Sequence, residues 1–389
     1  MTKRLILAFV FLSWHLVACS NGDSGISSGL PDKPSAEEDS PGTETISEEM
    51  RVKITGEDLY ISAKLDAKTD ILYWFKKCMF NELFTFYRVG TIDNNMPAPA
   101  TLPDASPTSL LNLAYSDNIG PFNITGYGWC GGNHPYLDEV TQTARNIGYR
   151  IYIDGKEIKT DLSTLTKEIK IEVINEIMNP SKADTSSGKT LLNEILCIET
   201  VNYSIYRNNI QVLVTHEFQN ESPVTVQMYY GMQSMFDKET HTLTANGKYV
   251  DWTVQKDVST FTKKEYPSFR RFIEKSANVY QSSYLFADGL GNHEEISDDD
   301  IIFIGNSSNK TYHKIIADRE HKKGDIIHWS GVYTWFKSPV SDDDDLLCYE
   351  GVIDNKKVLF IDCKKNVDRT IQLPVDYTKK SFTIIEKSK

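Results

Sequence analysis

The sequence predicts a mainly β protein, a large two-sheet β-sandwich with long loops and few short helices. Two observations carry this. Short runs of alternating apolar and polar residues recur along the chain with turn signals between them. Helical periodicity is scarce, and "PSFRRFIEKSANVYQSS" (267 to 283) is the best single helix candidate. Many strands with so few helices require sheet to pack on sheet. No fixed repeat at propeller spacing is present, which places a propeller second.

The elements follow in order. Residues 1 to 18 combine a basic start, "MTKR", with the apolar run "LILAFVFLSWHLV" and a small residue before Cys19. This is the pattern of a secretory signal peptide. The apolar run is shorter than the ~20 residues a membrane-spanning helix needs. Residues 19 to 50 are rich in Ser, Gly, Pro and acid and nearly lack large apolar side chains. Such a segment cannot bury a core and reads as a disordered tether. The sandwich then occupies residues 51 to 389. In "YRIYIDGKEIKT" two alternating runs flank Asp154-Gly155, a pair suited to a type I′ hairpin because both central residues need positive φ. "EIKIEVINEI" continues the period of two. The stretch from Ile195 to Phe236 holds three strands broken at "YRNNI" and "FQNESPV". "GDIIHWSGVYTWFKS", "LLCYEGVIDNKKVLFIDC" and "KSFTIIEK" complete the set.

Composition excludes several classes. A net charge of −12 argues against nucleic acid, whose binding needs a basic face. There is no GxSxG, Walker loop, HExxH or dinucleotide fingerprint. No cysteine or histidine cluster has zinc spacing, and the acidic runs "HEEISDDD" and "SDDDD", which could hold calcium but lack the EF-hand order, read as solvated loops, so neither metal nor cofactor is expected. Of six cysteines, removing Cys19 leaves an odd number, a poor disulfide framework, although Cys348 and Cys363 flank one hairpin.

Two resemblances add to this. "LVAC" at the end of the signal sequence resembles the lipobox of bacterial lipoproteins. The resemblance implies cleavage before Cys19, lipidation of its thiol and, with Ser20 following, an outer-membrane destination in which a lipid anchor is the sole membrane contact. The run "VLVTHEFQNESPVTVQMYYGMQSMF" resembles a central strand pair of the galactose-mutarotase-like supersandwich, and "NHPYL" is similar to the Asn-His-x-Tyr-Phe motif of aldose epimerases. Leu137 stands where that motif has Phe, and here the motif precedes the strand pair. The resemblance implies carbohydrate, a polysaccharide or oligosaccharide, as the ligand class.

Candidate site residues centre on "WCGGNHPY" (129 to 136). Gly131 and Gly132 permit backbone geometry closed to other residues. Asn133 offers donor and acceptor, and His134 is a proton carrier near neutral pH. Trp129 and Tyr136 offer flat apolar faces suited to sugar rings. The alternative is a structural turn. Arg145 is a possible carboxylate fork or a surface ion pair. In "VTVQMYYGMQ" the period of two places Tyr230 with Val224, Val226 and Met228 in the core, and Tyr229 and Gln227 on the other face. Gln233 follows Gly231, where pairing breaks. His216 shares the phase of Val212, Val214 and Phe218, a core phase that still allows a place beside a cleft.

Three readings follow. One is a polysaccharide lyase, with Asn133, Gln233 or Arg145 neutralising a uronate carboxylate and His134, His216 or Tyr229 as acid and base. The second is a non-catalytic glycan-binding lipoprotein using Trp129, Tyr136 and Tyr229 as stacking platforms. The third is an adhesion or structural protein. Convergence of His134, Tyr229 and Gln233 in one cleft would distinguish the first.

Overall fold

The computed structural model describes residues 46–101, 108–112, 119–235, 240–243, 249–251, 259–264, 271–276, 278–291, 295–306 and 310–365. The signal segment, Cys19, most of the tether and "KSFTIIEK" lie outside the described residues. The fold is a mainly β sandwich of antiparallel sheets. An N-terminal six-stranded sheet runs in the spatial order Leu162–Thr166, Met50–Thr55, Asp58–Lys64, Thr69–Cys78, Leu83–Asp93, Thr108–Asn112. Met50, placed by the sequence at the end of the tether, is fully buried and pairs with Ala63 and Thr166.

The central sheet has ten strands. Four adjacent strands within it are Ile326–Phe336, Asn209–Phe218, Ile195–Tyr206 and Ile169–Met178, flanked by Val279–Leu290 on one side and Ala144–Ile153 on the other. A facing six-stranded sheet runs Ser259–Thr262, Ile301–Asn306, Lys310–His321, Val224–Met235, Ile119–Ile124, Gly128–Cys130.

The period of two explains which face is buried. In Asn209–Phe218, Ile210, Val212, Val214, His216 and Phe218 are buried while Leu213 and Glu217 are exposed. That buried face is long enough to carry two partners. Near one end of the strands Tyr203 meets Phe75 of the N-terminal sheet edge-on at 5.4 Å, and Trp335 meets Tyr73 at 5.3 Å. Near the other end His216 and Phe218 lie under Phe122 of the facing sheet, and Trp329 donates a hydrogen bond to the Tyr229 hydroxyl at 3.0 Å. The C-terminal hairpin Leu346–Ile353/Lys356–Cys363 covers part of the opposite face, with Phe336 stacked on Tyr349 at 4.4 Å. The sandwich therefore has a third layer there.

Several sequence expectations are met in detail. Asp154 and Gly155 have φ 46° and 78°, the left-handed pair a type I′ turn demands. The stretch after Leu192 forms three strands, broken at residues 207–208 and 219–223. Two points differ. The helix expected over 267–283 is instead the hairpin Arg271–Ser276/Val279–Leu290, with Ser276 opposite Val279. Its apolar spacing reads equally as helix or strand locally. Pairing with Thr240–Leu243 on one edge and Ile326–Phe336 on the other satisfies its backbone as strand. The pair resembling a supersandwich hairpin is not one ladder either. Asn209–Phe218 belongs to the central sheet and Val224–Met235 to the facing sheet.

Candidate functional site

The turn "WCGGNHPY" leaves the edge strand Gly128–Cys130 of the facing sheet. Gly131 and Gly132 have φ 77° and 54°, so the chain reverses through a conformation that penalises a Cβ. Cys130 points inward and is fully buried. The loop is braced rather than loose. Asn81, itself buried, donates from Nδ2 to the Gly132 carbonyl at 2.6 Å and accepts from the Thr143 amide at 3.0 Å. The Asp138 carboxylate accepts from the amides of Val140 and Thr141 and from the Thr141 hydroxyl. These bonds pull its pKa down to about 2, so the brace is in place across the physiological range.

The braced turn presents a row of aromatic rings on the face of the sheet turned away from the core. Trp129 stacks with Tyr136 at 6.2 Å on one side and with Tyr230 at 5.8 Å on the other. Tyr230 meets Tyr312 edge-on at 4.4 Å, and His134 stands edge-on to Tyr136 at 5.6 Å. All five side chains are partly exposed. Burial raises the Tyr230 phenol well above its ordinary value, with Tyr312 and Asp300 adding to it, so the hydroxyl stays protonated. Asp300 is held by Lys314 in a two-pronged ion pair at 2.6 and 2.7 Å.

Tyr230 is the residue that sequence reasoning misplaced. Alternation holds as far as Val226, which is buried, and Gln227, which is exposed. Register then slips between Val226 and Met228 against Ile119–Ile124, and between Tyr229 and Tyr230 against Lys310–His321. A bulge inserts an extra residue and reverses the faces. Tyr229 is therefore fully buried and Tyr230 joins the row. Tyr312 carried no motif at all.

The remaining candidates divide. His134, Trp129 and Tyr136 come together. Asn133 does not join them: it is 3% exposed and turns inward, with Nδ2 4.0 Å from the Cys78 sulfur. Gln233 is 1% exposed, and its carbonyl accepts from the Tyr333 hydroxyl. Arg145 is an exposed cross-strand partner of Glu176. Gln227 is exposed on its strand, outside the ring contacts of the row. His216 and Tyr229 meet at 4.9 Å, but both are fully buried. His216 Nε2 lies 2.9 Å from Glu199 Oε2, Asn175 donates to Glu199 Oε1 at 3.0 Å, and Asn146 donates to Asn175 at 3.0 Å. This chain pairs His216 Nε2, Glu199 and Asn175 with one another inside the core, and His216 is fully buried. His134, Tyr229 and Gln233 do not converge.

The acidic runs are engaged by the protein's own groups. Lys314 holds Asp300, Lys364 and Tyr280 reach Asp342, and Lys365 pairs with Asp345. The register of the C-terminal hairpin sets Cys348 opposite Ile361 and Cys363 opposite Leu346, so the two cysteines do not face each other. Burial pushes the Cys348 thiol up to about 11.

No family model matches the chain, and no curated protein does. Among solved structures, a heparan sulfate lyase HepC mutant from Pedobacter heparinus superposes with a TM-score of 0.29 and 6% identity, over 81% of this chain and 42% of that one. The chain thus spans less than half of that structure, and a likeness of this size carries no argument for fold or function.

Proposed function

We propose that this protein is a cell-envelope lipoprotein that binds glycans along the row Tyr136–Trp129–Tyr230–Tyr312. The observation that carries the reading is the row itself. Flat rings are fixed side by side on a rigid sheet, partly open to solvent, and the turn feeding them is braced by Asn81 and Asp138. Pre-positioned rings hold the C–H faces of sugars at little entropic cost, because two χ angles per ring are already fixed. Lipidated Cys19 and the Ser/Gly/Pro-rich tether would hold this surface off an outer membrane.

The test is titration with a panel of oligosaccharides against Trp129→Ala and Tyr230→Ala. Loss of a central aromatic anchor weakens binding by about 2 kcal/mol or more, roughly thirtyfold. Tyr229→Phe, beneath the row, should leave affinity unchanged. Equal affinity in the parent, Trp129→Ala and Tyr230→Ala would refute the reading.

The lyase reading keeps one observation, His134 beside Tyr136 on the row. Its acid and base would have to be His134 and a tyrosine of the row, since His216 and Tyr229 are sealed in the core. Growth of unsaturated-uronate absorbance that is abolished in His134→Ala is the outcome that would establish it.

A further inference from the structure

A second aromatic cluster lies on the N-terminal sheet, away from the row. Tyr60, Trp74 and Arg88 occupy one rung across three adjacent strands. Tyr60 stacks on Trp74 at 5.4 Å, and Tyr87 meets Trp74 edge-on at 4.9 Å. Trp74 is fixed by its own donor, Nε1 to Asp58 Oδ1 at 2.9 Å. Register slips between Trp74 and Phe75, and this bulge brings Tyr87 to the same side as Trp74.

The Lys76 ammonium sits 4.3 Å from the Trp74 ring centre and 4.1 Å from that of Tyr87. It meets no carboxylate among the described residues. Its neighbour Lys77, by contrast, is paired with Glu57 at 3.0 Å. Arg88 lies over the Tyr87 ring at 5.4 Å, with Nε buried and without a hydrogen-bond partner among the described residues. Lys76 and Tyr87 open into a cleft of about 440 Å³ whose other walls are Glu57, Lys77, Cys78, Met79 and Glu82. Met79 and Glu82, on the turn that closes the cleft, hold φ 61° and 51° without being glycine, a strain that concentrates at binding and active sites.

We propose that this cleft is a second, separate site for one acidic sugar unit, bearing carboxylate or sulfate. The sugar unit would sit in the cleft against Tyr87, and its anionic group would take the Lys76 ammonium, which stands over the Trp74 and Tyr87 rings and meets no carboxylate among the described residues. Glu57 and Glu82 also line the cleft, so a second negative group there meets like charge and the site favours a singly charged unit over a polyanion. This site does not depend on the row of the facing sheet.

The test uses galacturonate, a monosulfated disaccharide and neutral maltotriose, titrated into the Trp129→Ala protein so that the row is silenced. An acidic ligand should still bind, and which of the two acids binds identifies the anionic group. Adding Lys76→Met should then weaken it about tenfold or more, the loss of one charge-assisted hydrogen bond, while Lys76→Arg keeps it. Acetylation of the parent with acetic anhydride, mapped by mass spectrometry, should show Lys76 protected by the acidic ligand and exposed Lys156 of the central sheet not. The proposal fails if no acidic ligand binds in the Trp129→Ala background, if Lys76→Met binds within about twofold of Lys76→Arg, or if Lys76 acetylation is unaffected by ligand. Failure of the row instead would show as parent affinities indifferent to Trp129→Ala.

Discussion

Truncation of Glu199 probes the polar chain that the core has sealed. Glu199 is 2% exposed and holds two partners, His216 Nε2 at 2.9 Å and Asn175 Nδ2 at 3.0 Å. Phe122 and Tyr229 close over His216. Glu199→Ala leaves two buried polar atoms without partners, at about 1–3 kcal/mol each. His216 Nδ1 has no partner among the described residues, which removes the simplest rescue by ring reorientation. The expected loss is about 3–5 kcal/mol, the range for breaking a buried pair from one side. Urea unfolding followed by tryptophan fluorescence reads it as a lower midpoint with unchanged slope. Glu199→Leu combined with His216→Leu removes both ends and should recover part of the loss. A cost under about 1 kcal/mol for Glu199→Ala, or simple additivity of the two substitutions in a double-mutant cycle, would show that Glu199 and His216 do not act as a buried pair.

Other outcomes follow from named residues. His321 stacks flat on Phe218, and burial, with Arg319 adding to it, lowers its pKa to about 4 against an unfolded value of about 6.5. The unfolded chain then binds the extra proton, so stability falls as pH drops from about 6.5 to 4, by up to ~3 kcal/mol, and His321→Phe should flatten that part of the urea-midpoint profile. Gly231→Ala places a Cβ 2.3 Å from Ile315 Cδ1 and 3.0 Å from the Trp329 ring, so a loss of about 1–3 kcal/mol should appear in thermal unfolding. Cys130 and Cys197 are fully buried with thiols pushed up by desolvation, so both should resist a thiol reagent at pH 8 until denaturant is added. Cys19→Ala should release the protein from the membrane fraction, and retention there would remove the lipoprotein reading.

Local sequence determined the strands of this protein wherever side chains alternated or a turn had a chemical requirement. Asp154-Gly155 could close only a hairpin with two left-handed residues, and the apolar phase of Val212, Val214, His216 and Phe218 marked the buried face before any partner was known. The same local logic brought Trp129, His134 and Tyr136 together, because they share one braced turn. Tertiary structure decided the rest. A bulge depends on the ladders either side of a strand, so the exchange of Tyr229 for Tyr230 could not be seen in the strand itself. Tyr312 reached the row through a strand more than 80 residues downstream of Tyr230. Asn133 and Gln233 looked like site residues by type, and packing turned them inward. The cleft at Lys76 had no motif, since cation and rings meet there only when three strands and a bulge align. Side-chain period is a property of a chain segment, whereas register and burial belong to pairs of segments, and that difference sets where sequence reading stops.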